Sequence, residues 1–208
     1  MASTDIPTGA RGKLLEASLA VIRGKGYSAT TVDDICRSAG VTKGAFFHHF
    51  KTKEDLAIAA ADHWSMMTGA FFEAAPYREL SDPLDRLLGY VDFRKAILRG
   101  ELPEYTCLVG TMVQETFATY PAIRDACESS IVGHAKVLEA DIAEAMRERG
   151  IAAEWTAESL ALHTQVVVQG ALLLAKATGG PKVAVESLDH LRRYLEMLFK
   201  HPQGGSET

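Results

Sequence analysis

The chain has 208 residues, 47% of them apolar and 24% charged, with a formal net charge of −5. That length can bury a sizeable core, either as one large domain or as a small head on a larger body. Three cysteines, Cys36, Cys107 and Cys127, odd in number and without CxxC spacing, argue against a disulfide framework or a zinc site and make a reducing cytoplasm the default expectation.

The opening stretch, "MASTDIPTGARGKLL", lacks a basic segment followed by an apolar run and reads as a short disordered lead, not a signal peptide. Apolar positions then recur at helical spacing almost everywhere, and no stretch alternates in the two-residue rhythm of a half-buried strand, so the expected fold is all α with about nine helices. Leu15, Leu19 and Ile22 mark the buried stripe of a first helix ending near Gly24 and Gly26. Thr31 and Asp34 form a capping-box start for a short second helix, "TVDDICRSA", stopped by Gly40. Thr42 caps a third, and "TKED" at Thr52–Asp55 opens a fourth that runs through Trp64 towards Phe72.

Ser81, Asp82 and Pro83 launch a fifth helix with Leu84, Leu88, Val91 and Leu98 inward and Gly100 as its stop. "CLVGTMVQETFATY" is a sixth, and after Pro121 the stripe Ile131, Ala135, Leu138, Ile142, Ala145 describes a long seventh ending at Gly150. Thr156 caps a strongly apolar eighth, closed by Gly179 and Gly180. Its run from Leu160 to Ala177 is interrupted by His163, Gln165 and Gln169, whereas a spanning helix needs roughly 20 nearly unbroken apolar residues, so no membrane association is expected. The ninth starts at Pro181 and carries Leu188, Leu191, Leu195 and Leu198 on one side before "HPQGGSET" frays.

Charge is distributed unevenly. Residues 9–55 hold eight Lys/Arg against five Asp/Glu, and residues 56–208 hold fourteen against twenty-one. A mildly basic head of residues 9–55 on an acidic body of residues 56–200 can meet phosphates while the body does something else.

Within the head, Thr31–Ala39 and Thr42–His49 flank Gly40-Val41 as in a helix-turn-helix, with the glycine allowing the sharp bend. The second of these helices is then free to enter a DNA major groove with its N-terminal residues leading. Lys43 in its first turn can reach a phosphate or a guanine edge, and Gly44 gives the backbone clearance. Thr42 and Thr31 pair capping with a hydroxyl near phosphate, at helix N-termini that favour anions. Phe46 and Phe50, four apart, share a face and pin the helix to its neighbours.

The run "TTVDDICRSAGVTKGAFFHHFKTKEDL" resembles the DNA-binding head of the TetR family of bacterial transcriptional repressors, with the match close over Gly26 to Leu56 and the helical plan and length agreeing beyond it. The resemblance implies an effector-binding and dimerisation body, with ligand binding changing the separation of two heads. The family usually has a tyrosine where this chain has Phe47, whose hydroxyl meets a phosphate. Here Phe47 offers apolar contact only, such as a thymine methyl, leaving His48 or Lys53 to carry more of the backbone binding. His49 is expected in solvent.

The apolar eighth and ninth helices suit a homodimer through a four-helix bundle, with heads on half-sites roughly 34–36 Å apart. An effector pocket is expected among helices four to eight, with Trp64, Met67, Phe71, Tyr90, Phe93, Ile97, Met112, Glu115, His134 and His163 as candidate lining residues. That mixture suits a modest, largely apolar molecule or a cation beside Glu115. Cys107, at the start of the sixth helix, is a candidate redox or electrophile-sensing thiol. Glu115, His134 and His163 form no HExxH or other catalytic motif, so neither an enzyme, a metal nor a cofactor is expected. The reading is a cytoplasmic, ligand-responsive repressor acting on a double-stranded DNA operator; an activator or ligand-independent DNA-binding factor of the same type is the alternative.

Overall fold

The computed structural model describes residues 9–200, and every regular element among them is helical: α1 Ala10–Lys25, α2 Val32–Ala39, α3 Lys43–His49, α4 Lys53–Glu73, a 3₁₀ turn Pro76–Glu79, α5 Pro83–Ala96, α6 Leu102–Tyr105, α7 Leu108–Thr116, α8 Pro121–Glu148, α9 Ala157–Thr178 and α10 Lys182–Lys200. The fraying tail and positions 1–8 of the expected disordered lead lie outside the described residues; the rest of that lead, expected to run to Leu15, is helical from Ala10, where α1 begins. Ten α-helices replace the expected nine, because "LPEY" closes a single turn, too short for a 3.6-residue period to register. The fifth helix also stops at Ala96, short of Gly100.

Local side chains set most of the boundaries. Thr31 accepts from the Asp34 amide at 3.1 Å while its own amide donates to Asp34 Oδ2 at 3.0 Å, and Gly40, at φ 63°, turns the chain out of α2. Thr42 accepts from the Ala45 amide at 3.2 Å, Thr52 and Asp55 cap each other at 3.0 Å, and Asp82 accepts from the Leu84 amide at 2.8 Å ahead of Pro83. Thr156 and Ser159 form a further reciprocal box. Each such cap is worth about 1 kcal/mol.

The helices assemble into two compact units. One runs through Phe72 and adds Thr106–Ile131; the other is Glu73–Tyr105 with the chain from Val132 onward. The compact packing of the first unit continues past Asp55/Leu56, the expected domain boundary. Leu14, Leu15 and Ile22 of α1, Ile35 of α2, Phe46 of α3, Leu56 and Ala60 of α4, and Leu108, Val109 and Met112 of α7 close a single core, so α4 and α7 belong with the head.

In the second unit α10 packs against both α9 and α5. Leu87, Tyr90 and Val91 of α5, Leu138, Ile142 and Ala145 of α8, Leu160, Val168 and Ala175 of α9, and Leu188, Leu191 and Leu195 of α10 are buried. Helix α9 is long and apolar enough to cross a membrane by length and composition, and one side of it, including Thr164, Gln165 and Val168, is buried in this unit. A carboxylate is buried here too: Asp141 accepts from Arg78 at 2.5 Å and from Arg86 at 2.8 Å, and Arg86 also binds Glu144.

Removing one member of such a set leaves uncompensated charge in a dry interior. Asp141→Ala should lower the unfolding free energy by about 3–5 kcal/mol, read from urea denaturation followed by circular dichroism; a loss below about 1 kcal/mol would place this carboxylate outside the stabilising set.

Candidate functional site

Helix α3 has one buried and one open side. Phe46 is fully buried, in edge contact with Phe47 at 5.1 Å and near Phe50 at 5.9 Å, whereas the adjacent Phe47 is 57% exposed. Thr42, Lys43, Gly44, His48 and His49 are exposed as well, with the two imidazoles 4.9 Å apart. The first unit therefore offers a short outward row of hydroxyl, ammonium, bare backbone, phenyl and imidazole.

Lys43 is not idle: its ammonium lies 2.8 Å from Asp33 Oδ1 on α2, which raises its pKa, with 60% and 54% of the two side chains exposed. An ion pair so wet holds its partner weakly and is readily exchanged for a phosphate. The Thr31 hydroxyl donates to Asp34 Oδ2 at 2.6 Å, and the same carboxylate meets Lys25 at 2.5 Å and Arg37 at 3.3 Å. Lys25 first, and Thr31 after it, hold the Asp34 carboxyl far below the usual range. Thr31 is thus engaged inside its own cap.

Lys53 is placed differently from the expectation of a phosphate contact. Its ammonium donates to the carbonyls of Tyr27 at 3.0 Å and Thr30 at 2.9 Å and lies 4.1 Å above the Tyr27 ring, where burial lowers its pKa. It ties α4 to the turn between α1 and α2. The same turn is held from α7, where Glu115 accepts from the Ser28 amide at 2.7 Å. Gly26 sits there at φ 89°, a backbone conformation that favours glycine, and a Cβ on it would push the Glu115 carboxylate, 2.3 Å away, off the turn.

The ten residues expected to line a pocket are shared between the two units. Trp64, Met67, Phe71, Met112 and Glu115 belong to the first unit; Tyr90, Phe93, Ile97, His134 and His163 belong to the second. Met112 is fully buried in the head core, Trp64 lies under the Arg23 guanidinium at 5.0 Å, and Met67 and Phe71 are exposed. Glu115, the expected partner of a cation, binds the Ser28 amide instead. His163 is exposed and meets Tyr194 edge-on at 5.4 Å, and Phe93 lies 5.8 Å from Tyr77.

Of the expected lining residues in the second unit, Ile97 borders a cleft, and Tyr90 and His134 bond to Arg94, which borders it too. This small cleft of about 10 Å³, room for roughly one water, lies between α5, α9 and α10, lined by Arg94, Ile97, Leu98, Val168, Leu172 and Leu188 among others. Arg94 Nε donates to Tyr90 Oη at 2.8 Å and Nη2 approaches His134 Nε2 at 3.1 Å. Tyr90 Oη lies 3.1 Å from His134 Nε2 and accepts from Gln165 Nε2 at 3.2 Å. Burial first, and the Arg94 charge second, depress the His134 pKa to about 3, so the imidazole is neutral. Arg94 is no candidate in the sequence reading, and Gln165 figures there only as a break in an apolar run; the signals are that break and the four-residue step from Tyr90 to Arg94 on α5.

Of the cysteines, Cys36 and Cys127 are buried and Cys107 is half-buried. Cys107 occupies the N-cap of α7, its sulfur accepting from the Gly110 amide at 3.4 Å. Among the described residues no group of His, Cys, Asp or Glu is arranged to hold a metal ion.

Comparison with known proteins agrees with this geometry. Residues 14–60 match the model of the bacterial regulatory proteins of the TetR family, and residues 83–191 match that of the tetracycline-repressor-like C-terminal domain. The transcriptional regulator AcuR of Cereibacter sphaeroides is 28% identical over 171 residues, spanning 80% of this chain and 76% of that protein. The transcriptional repressor KstR2 of Mycobacterium tuberculosis is 36% identical over 85 residues, 38% of this chain and 39% of its own. Among solved structures, a regulatory protein TetR from Rhodobacter sphaeroides superimposes with a TM-score of 0.79 at 26% identity, covering 89% of this chain and 98% of the other. With the outward row on α3 and the C-terminal match spanning more than half its length, this chain belongs to the TetR family of DNA-binding transcriptional regulators and is not an enzyme.

Proposed function

We propose that this regulator is a cytoplasmic repressor that binds a near-palindromic operator as a homodimer and leaves it when a small molecule occupies the body. The observation that carries the reading is the outward row Thr42, Lys43, Gly44, Phe47 and His48 on a helix anchored by fully buried Phe46. Those side chains suit major-groove entry, with Lys43 exchanging Asp33 for phosphate or a guanine edge. The name of the KstR2 relative supports repression over activation.

Dimerisation through the last two helices is supported by what they leave uncovered. Val166 is 68% exposed and Met197 60%, and Leu162, Leu173, Leu174 and Tyr194 are exposed beside them in sequence. Apolar side chains left open in such number on two neighbouring helices suit a second copy of the same pair. Two heads so joined meet half-sites roughly one helical turn of DNA apart.

A second reading concerns Cys107, as a thiol that responds to electrophiles. Its place at the N-cap of α7 and its partial exposure favour it. Burial raises the thiol pKa of Cys36 and pushes that of Cys127 up to about 12. Limiting iodoacetamide at about pH 8 should therefore modify Cys107 well before the other two, as read by peptide mass spectrometry; equal labelling of all three would end this reading.

The DNA reading is tested on a duplex recovered by selection from random sequence. Lys43→Ala should weaken binding and lower the dependence of log K on log salt by about 0.9, the share of one phosphate. Gly44→Ala is the sharper probe. Its Cβ would meet nothing inside the protein closer than Thr42 Oγ1 at 3.7 Å, so the fold should be unchanged or firmer by up to about 1 kcal/mol while binding weakens. Parent-like affinity in both variants would move the recognition face elsewhere.

A further inference from the structure

Two neighbouring carboxylates open α2, and they are used differently. Asp34 closes the capping box with Thr31 and also holds Lys25 and Arg37. Asp33 takes no part in that box. Its Oδ1 lies 2.8 Å from the Lys43 ammonium in the first turn of α3, with 54% of the Asp33 side chain and 60% of the Lys43 side chain exposed. A pair so wet adds little to stability, and Ile35 of α2 and Phe46 of α3 already share one buried core. What the pair does is place a negative charge on the surface that, in the reading above, meets DNA. A carboxylate close to phosphates opposes binding to any duplex unless a donor in the groove meets it.

The major-groove edge of a G·C pair supplies that donor. Guanine presents N7 and O6 as adjacent acceptors, and cytosine presents its N4 amino group beside them. Cytosine N4 and guanine O6 are hydrogen-bonded to each other, hence about 3 Å apart, which matches the 2.8 Å between the Lys43 and Asp33 atoms. An ammonium that spends one donor on Asp33 keeps others for N7 and O6, while the carboxylate has lone pairs left for the N4 hydrogen. An A·T pair fits less well, because the adenine N6 donor stands between the N7 and O4 acceptors.

We propose that Asp33 and Lys43 together read a G·C base pair in each half-site, the ammonium on guanine N7 and O6 and the carboxylate on the cytosine amino group. Of the destinations given above for Lys43, this selects the guanine edge, with Asp33 kept beside it. Asp33 is then a specificity-determining residue, since its charge weakens binding to other sequences more than to this one. The proposal rests on the reading of α3 as the helix that enters the groove.

The test uses the full-length protein on duplexes recovered by selection from random sequence, with binding read by fluorescence anisotropy. The parent should require a G·C pair at one position of each half-site, and its replacement by A·T should weaken binding about 5- to 100-fold, the span for one base contact. Asp33→Ala should shrink that penalty by about 5-fold or more. It should also bind unrelated duplex about 5-fold tighter than the parent, the size of one like-charge contact in water. Lys43→Ala should lose the preference at the same position, and the double variant should lose little more, the non-additivity of groups that work together. Circular dichroism checks folding, and Asp33→Asn, of the same size without the charge, replaces the alanine variant should that not fold. The proposal is overturned if the Asp33 variant keeps the full G·C penalty, if it binds all duplexes tighter by one factor, or if Lys43→Ala alters the salt dependence and no base preference, which would put Lys43 on phosphate. Those outcomes leave the α3 reading standing. A parent without sequence preference, or a Lys43→Ala variant that binds every duplex like the parent, removes both.

Discussion

A seven-residue helix has no stability of its own in water, where even alanine-rich helices need about 12–15 residues. Helix α3 exists because Phe46 is fully buried among Leu14, Ile35 and Leu56, with Phe50 closing the far end and Thr42 the near one. The geometry of the outward row follows from that anchor. Neighbouring side chains on a helix differ by about 100° in direction, so burying Phe46 turns Phe47 out and, one turn back, frees Lys43 and Gly44. The sheet-free head thus presents its contacts from a surface whose orientation is fixed by core packing. Rigid presentation of this kind keeps a binding surface in register without an ordering cost at the moment of contact.

The rest of the first unit steadies that anchor. The turn Gly26–Thr30 is held by Lys53 of α4 through two carbonyls and by Glu115 of α7 through the Ser28 amide. In the second unit two polar sets reach the interior together: Asp141 lies between two arginines, and Tyr90 links Arg94, His134 and Gln165. Buried charge contributes little net stability next to well-packed apolar side chains, but it penalises any packing that leaves it unpaired. Such sets explain how a mostly aliphatic helical body can settle on one arrangement.

Much of this was legible in the sequence because it is local. Thr31 with Asp34, Thr42, Thr52 with Asp55, Asp82 ahead of Pro83 and Thr156 announce helix starts through bonds spanning two or three residues, and the inward Phe46 follows from its spacing to Phe50. What could not be read depends on partners far along the chain. Lys53 looks like any basic residue of a DNA-binding head until its ammonium is seen on carbonyls 23 and 26 positions earlier. Glu115 looks like a pocket carboxylate until Ser28, 87 positions away, takes it. The expected pocket list likewise draws on both units: periodicity says that Met112 and Tyr90 face inward, and not into which interior.

The central claim is that two copies of this chain place paired α3 helices on DNA. Hydroxyl-radical footprinting of the full-length protein on the duplex upstream of its own gene tests it most directly. The account predicts two protected patches related by a dyad and spaced roughly one turn of DNA apart, about 34–36 Å. A single patch without symmetry, or uniform protection that fades equally on scrambled DNA, would contradict it.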